Sequence, residues 1–270
     1  MFTENDTADS NDLSIAYQYF NQIEWELQFK NRYSNEKLDA LLMRFAGNNY
    51  NIYNISKGDI LYRARIYNKE DKWDRWFNPP EGEFKGYDAE NSYVNKNAIE
   101  IKGGRCNPDF ISYLYAAKSI ECCIHEIRPN RDAYVSVANI RAKDNLRLLR
   151  FQNSSTTNSI DHLIPGVQDS IAFIYFDLHF MKAYEREGDY LLSQYISEKA
   201  KNMGYDGVVY QSAIYSLEKS EVQNIEDGRL CYAIFNYDKL EAISSSLFHI
   251  DSIKVHFSEK SASNIFQSCK

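Results

Sequence analysis

Five residues of types that could act together on a nucleotide are scattered through this chain: Arg63, Arg105, Tyr115, Glu126 and Ser212. A guanidinium fork matches phosphate oxygens two at a time, and a diphosphate would use two such forks well. A tyrosine face can stack on a planar heterocycle. A carboxylate can stabilise developing positive charge or orient an acceptor, and a serine hydroxyl can fix a bound pose. Three of the five fall within Lys102–Pro129, KGGRCNPDFISYLYAAKSIECCIHEIRP. There a paired-glycine turn bears Arg105, a short aromatic strand bears Tyr115 and a short helix bears Glu126. Each also has an ordinary alternative: a salt-bridged surface arginine, one of 21 tyrosines half-buried on a strand, a solvated helix acid, a turn-forming serine.

The elements that must position these residues are legible as patterns. Ile15, Tyr19, Ile23 and Leu27 recur at four-residue steps, which predicts an amphipathic helix over about 13–32. Ser34 is placed to cap a second helix through Leu41, Leu42 and Phe45, ending near Gly47. Residues 60–67 (ILYRARIY) read as a strand with Arg63 and Arg65 on one face. Residues 68–100 are polar and proline- and glycine-bearing, and read as a long loop; such loops often cover a site.

Residues 113–116 are strand-like. Ser119 is an N-cap, and Ile120, Cys123, Ile124 and Ile127 form a helical apolar stripe that Pro129 stops. At 100° per residue Glu126 lies roughly 100–120° off the centre of that stripe, so it flanks the core face and can line a cleft. Residues 134–140, 146–151, 208–212, 230–235 and 253–257 read as strands. Residues 190–202 read as a helix ended by Gly204, and 171–180 are ambiguous between helix and strand. No linker follows residue 55.

Composition narrows the function classes. The 270 residues are 44% hydrophobic and 26% charged, enough to bury a large core without disulfides or metals. A net charge of −7 argues against a general nucleic-acid surface, which needs dense Lys and Arg. No stretch approaches the ~20 apolar residues that span a bilayer, and the acidic N-terminus is the reverse of a secretory signal. Five cysteines without framework spacing fit a reducing cytoplasm. No HExxH pattern, Walker-type loop or Rossmann glycine loop is present, and Cys122, Cys123 and His125 crowd one helical turn without a second ligand pair. Cys106 beside Arg105 is the one cysteine with a reason for a lowered pKa, and nothing else nominates it as a nucleophile.

Taken in order, these segments resemble the RES domain, named for its Arg, Glu and Ser and found in toxins of bacterial Xre–RES toxin–antitoxin pairs. The likeness runs from about Gly58 to Leu240. LYRAR matches the family's first arginine at Arg63. GGRCNP and YLYAAKSIECCIHEIRP match its turn, its tyrosine at Tyr115 and its glutamate at Glu126. YLLSQYISEKAKNMGYDGVVYQS resembles the segment delivering the serine, here Ser212. CYAIFNYDKLE resembles the closing strand, with Asn236 at a frequently polar position. The chain departs from the pattern at Cys106, where the family more often has tryptophan or alanine, and at Ile111-Ser112, which replace a glycine-containing turn. Residues 213–229 are a longer, acidic insertion.

The resemblance implies an α+β fold: an ADP-ribosyltransferase-like mixed β-sheet core with surrounding helices. Residues 56–270 would be the catalytic domain and 1–55 a helical extension. It implies cleavage of the nicotinamide–ribose bond of NAD⁺, with phosphate or water as acceptor, or else transfer of ADP-ribose to a protein. Glu126, Arg63, Tyr115 and Ser212 would be catalytic, and Arg63, Arg105, Tyr115, Ser212 and Asn236 would bind NAD⁺. No metal or cofactor is required, since nicotinamide leaves neutral from an already cationic ring. The expected partner is a neutralising protein antitoxin, with loop 68–100 as a contact. The residues alone also leave open a non-catalytic nucleotide-binding or interaction module.

Overall fold

The computed structural model describes residues 10–67, 86–94, 98–151, 173, 175–177, 179–180, 190–215 and 228–253. Helix α1 (Ser10–Phe29) is followed by α2 (Glu36–Gly47). The cap of α2 is Asn35, not Ser34: its side-chain oxygen accepts the Leu38 N–H at 3.0 Å. Within the helix Leu38, Leu41, Leu42 and Phe45 form one buried stripe with i, i+3, i+4, i+7 spacing.

Eight strands form one mixed sheet: β1 (Ile52–Ile55), β2 (Ile60–Ile66), β3 (Leu114–Ala117), β4 (Tyr134–Ala142), β5 (Leu146–Phe151), β6 (Gly207–Gln211), β7 (Leu230–Ile234) and β8 (Leu240–His249). Their spatial order is β1-β5-β6-β7-β3-β2-β4-β8. β5 and β6 run parallel, and the other neighbours run antiparallel. Helices α3 (Ile120–Glu126) and α4 (Leu191–Asn202) complete the described set of longer elements. The fold class is α+β, as the sequence reading expects.

Two strands lie outside the sequence reading. β1 is four residues long, too short for a period-two signal, and pairs with β5 from Ile52↔Leu149 to Ile55↔Leu146. The expected division after residue 55 therefore falls directly behind a strand of the main sheet. Helices α1 and α2 share its core: Phe20, Ile23, Leu27 and Phe45 pack in one cluster with Leu149, Phe151, Val208 and Ala233, and Phe45 stacks on Phe151 at 5.0 Å. The second is β8, and of the strand expected at 253–257 only residue 253 is described. Residues 251–253 are not in a strand, and 254–257 lie outside the described residues. The serine run 244–246 hides β8 from a hydrophobic pattern, yet its backbone pairs with β4 along nearly the whole strand.

Elsewhere the elements fall close to expectation. α4 ends at Met203 and Gly204, whose φ of +86° is the left-handed conformation expected of a C-terminal glycine. In the 68–100 loop the described part holds only one helical turn, Ala89–Ser92, and a tight turn, Ala98–Glu100; residues 68–85 and 95–97 lie outside the described residues. The described residues of 171–180 (173, 175–177, 179 and 180) are helical, which settles that ambiguity for them.

Candidate active site

The sheet parts at its centre. β2 pairs with β4 over seven residues but with β3 only at Tyr62↔Ala117. Arg63 fills the gap: its Nη1 donates to the Tyr115 carbonyl at 2.9 Å, satisfying an acceptor that β2 does not reach. Its Nε is buried and has no hydrogen-bond partner among the described residues. Burial, with the neighbouring Arg65 adding repulsion, pushes the Arg63 guanidinium down to about 10. A desolvated cation holding a spare donor is poised for an anion. Beside it opens a cavity of about 250 Å³, walled by Tyr62, Arg63, Tyr115, Glu126, Tyr210 and Cys231 among others.

Glu126 reaches that cavity because α3 is short and capped at a defined point. The Ser119 hydroxyl accepts the Cys122 N–H at 3.1 Å and donates to the Gly228 carbonyl at 2.8 Å, tying the start of α3 to the start of β7. Glu126 is then the last helical residue, with Cys122 and Cys123 buried behind it. The Ser212 hydroxyl donates to Glu126 Oε1 at 2.5 Å. The same oxygen accepts the N–H groups of Tyr215 at 2.8 Å and Ile214 at 3.2 Å. With its lone pairs engaged by the turn after β6, the serine has its single proton left for the carboxylate. Ser212 is 1% exposed, so water does not replace this contact.

Tyr115 is held at both ends. Its hydroxyl donates to Asn107 Oδ1 at 2.7 Å and accepts the Cys106 N–H at 2.9 Å, so it braces the glycine turn. Burial raises its pKa well above the ordinary tyrosine value. Only its ring is left to face the cavity. Gly104 permits this arrangement: a Cβ there would stand 2.9 Å from Asn107 Oδ1 and 3.0 Å from the Tyr115 hydroxyl.

Arg105 is placed differently from the expectation. It is 8% exposed, donates to the Phe180 carbonyl and lies 5.0 Å over the Tyr210 ring. Its own carbonyl accepts the Ser193 hydroxyl at 2.6 Å. Burial opposes its charge, but Tyr210, Cys106 and Glu126 together hold its pKa above the ordinary value. Arg105 thus props the Tyr210 wall and adds positive potential near Glu126. Cys106 is fully buried and its thiol is pushed up to about 12 by burial, which removes it as a nucleophile.

Asn236 is not brought to the cleft. It is exposed beyond the end of β7, donates to Asp206 Oδ1 at 2.7 Å and lines a separate depression with Lys201 and Lys239. Ser212 sits at the opposite end of β7, where its N–H bonds the Arg229 carbonyl. Strand length alone separates the two, and the closing-strand likeness carried no information on that. The structure thus brings together Arg63, Tyr115, Glu126 and Ser212, holds Arg105 just behind them and leaves Asn236 outside. Sequence reasoning did not single out Tyr62, Tyr210 or Cys231. Their strand positions were readable, but which strands meet at the gap was not.

The family model described as the RES domain matches residues 75–255, more than half of the chain. The chain belongs to the RES domain family. The matched stretch contains Arg105, Tyr115, Glu126 and Ser212, while Arg63 precedes it. Among solved structures, the crystal structure of the M. tuberculosis MbcT–MbcA toxin–antitoxin complex is similar at 14% identity, covering 79% of this chain and 93% of that chain, with a TM-score of 0.41. No curated protein sequence matches the chain. Among the described residues no helix is long and apolar enough to cross a membrane.

Proposed function

We propose that this chain is an NAD⁺-consuming enzyme that breaks the nicotinamide–ribose bond and acts as the toxin of a toxin–antitoxin pair. The observation that supports the reaction best is the Glu126–Ser212 hydrogen bond of 2.5 Å, made beside a cavity into which Arg63 brings a desolvated cation. The cavity is below the usual size for a whole drug-sized ligand, and suits a planar ring and its sugar with the phosphates at the mouth. RES family membership supports the toxin role and a protein antitoxin as partner.

In the proposed reaction the C1′–N bond breaks, and its electron pair passes to the pyridinium nitrogen, so nicotinamide leaves neutral. The ribose carbon gains positive charge, as in glycoside hydrolysis. The Glu126 carboxylate, held by Ser212, stabilises that charge or aligns the incoming oxygen of phosphate or water. The Tyr115 and Tyr210 rings confine the nicotinamide, and Arg63 meets a phosphate oxygen. Water as acceptor yields ADP-ribose and a proton; phosphate yields ADP-ribose bearing a 1″-phosphate.

The test is product analysis by chromatography and mass spectrometry after incubation with NAD⁺, with and without phosphate. Loss of NAD⁺ with free nicotinamide supports the reading, and the second product names the acceptor. ADP-ribose attached to a protein would assign the chain as a protein ADP-ribosyltransferase instead. Intact NAD⁺ with no labelled protein under either condition would sink the enzymatic reading.

A further inference from the structure

Arg229 is the turn residue immediately before strand β7, two residues ahead of Cys231, which lines the cavity. The backbone here is pinned at three successive carbonyls: Gly228 accepts the Ser119 hydroxyl at 2.8 Å, Arg229 accepts the Ser212 N–H at 2.8 Å, and Leu230 accepts the Lys118 N–H at 2.9 Å. Those donors belong to the start of α3 and to the turn bearing Ser212, the two pieces that set Glu126.

The side chain, by contrast, is barely engaged. Arg229 Nη2 makes one long contact, 3.4 Å, to the Ser212 carbonyl. Its Nε is buried with no partner among the described residues. The described residues give this half-buried guanidinium, with its five donors, one long contact. Arg105, the residue expected to join Arg63 at a diphosphate, is instead buried, donating to the Phe180 carbonyl and lying over the Tyr210 ring.

We infer that Arg229, rather than Arg105, is the second phosphoryl-binding arginine of this site. The inference rests on the proposed NAD⁺ reaction. Arg63 on β2 shares the cavity with Glu126, and Arg229, just before β7, reaches the Ser212 carbonyl; among the described residues each keeps a buried Nε without a partner. The phosphoryl oxygens they await belong either to the diphosphate of the dinucleotide or to inorganic phosphate arriving as acceptor. Both present the same chemistry to a guanidinium fork.

Steady-state kinetics of wild type, Arg229→Gln and Arg229→Lys tests this, varying NAD⁺ at fixed phosphate and phosphate at saturating NAD⁺. Arg229→Gln is expected to raise one KM about tenfold or more, the scale of one charge-assisted hydrogen bond, with Arg229→Lys recovering part of it. A rise for NAD⁺ assigns the residue to the diphosphate; a rise for phosphate assigns it to the acceptor. Calorimetric titration with ADP-ribose gives a reading independent of turnover and is expected to weaken in the first case only. Both KM values within twofold of wild type, or a fall in kcat alone, would overturn the inference. If Arg229→Gln lowers the melting temperature markedly, Arg229→Lys, which keeps the charge and loses the fork, supplies the comparison. A wild-type protein that leaves NAD⁺ intact refutes the underlying reaction instead.

Discussion

Replacing Ser212 with alanine removes one oxygen that makes three hydrogen bonds, and the consequences can be separated. The bond to Glu126 is charge-assisted and contributes about 1.5–3 kcal/mol. The two accepted N–H groups, of Tyr215 and Ile214, hold the turn after β6 and lose their partner. Glu126 is half-buried, and solvent restores part of its loss, so the net cost is roughly 2–4 kcal/mol. For a chain of this size that lowers the melting temperature by roughly 5–12 °C in calorimetry. Freed from its tether, the carboxylate wanders by about an ångström, and kcat for NAD⁺ cleavage falls on the order of a hundredfold. Glu126→Gln is the matched comparison. Its amide oxygen still accepts the serine proton, so the melting temperature stays close to wild type while kcat falls about 10²–10³-fold. A double-mutant cycle between Ser212→Ala and Glu126→Ala should give a coupling of about 1.5–3 kcal/mol. Ser212→Ala melting with wild type, or additive mutants, would refute the tethering role.

Three further outcomes follow from the same geometry. Arg63→Met relieves a desolvated cation but strands the Tyr115 carbonyl; these offset, so denaturant unfolding should shift by less than about 2 kcal/mol while NAD⁺ affinity, read by calorimetry, falls at least about tenfold. Gly104→Ala sets a methyl against Asn107 Oδ1, which is locked because Asn107 Nδ2 also bonds the Ile111 carbonyl at 2.9 Å; about 1–3 kcal/mol of stability should be lost together with activity, and loss of neither would show that the turn yields freely. Cys106, with its thiol pushed up to about 12, should resist iodoacetamide at pH 8 in the folded protein and react in urea, as read by peptide mass spectrometry. The raised folded value favours the neutral thiol in the native state. Its contribution to stability is therefore full below the ordinary thiol value and is lost as pH rises from there towards 12.

Much of the site was legible in local chemistry. The Ser119 cap, the short helix that ends with Glu126 before Pro129, and the glycine turn before Tyr115 are each specified within a few residues. So are the amphipathic stripe of α2 and the Gly204 stop of α4. These are decisions of backbone propensity, capping and sterics, which act over one or two turns of chain. What only the tertiary structure decided depends on residues far apart. β1 and β8 exist because β5 and β4 offer them edges, and neither has a hydrophobic alternation of its own. The cleft exists because β3 and β2 touch at one residue pair, which no pattern in either strand announces. The arginines look alike in sequence, yet Arg105 is buried against Phe180 and Tyr210, while Arg63 and Arg229 each keep, among the described residues, a buried Nε without a partner. A guanidinium's role depends on which acceptors the fold brings within 3 Å of it, and the chain's own neighbours along the sequence do not set that.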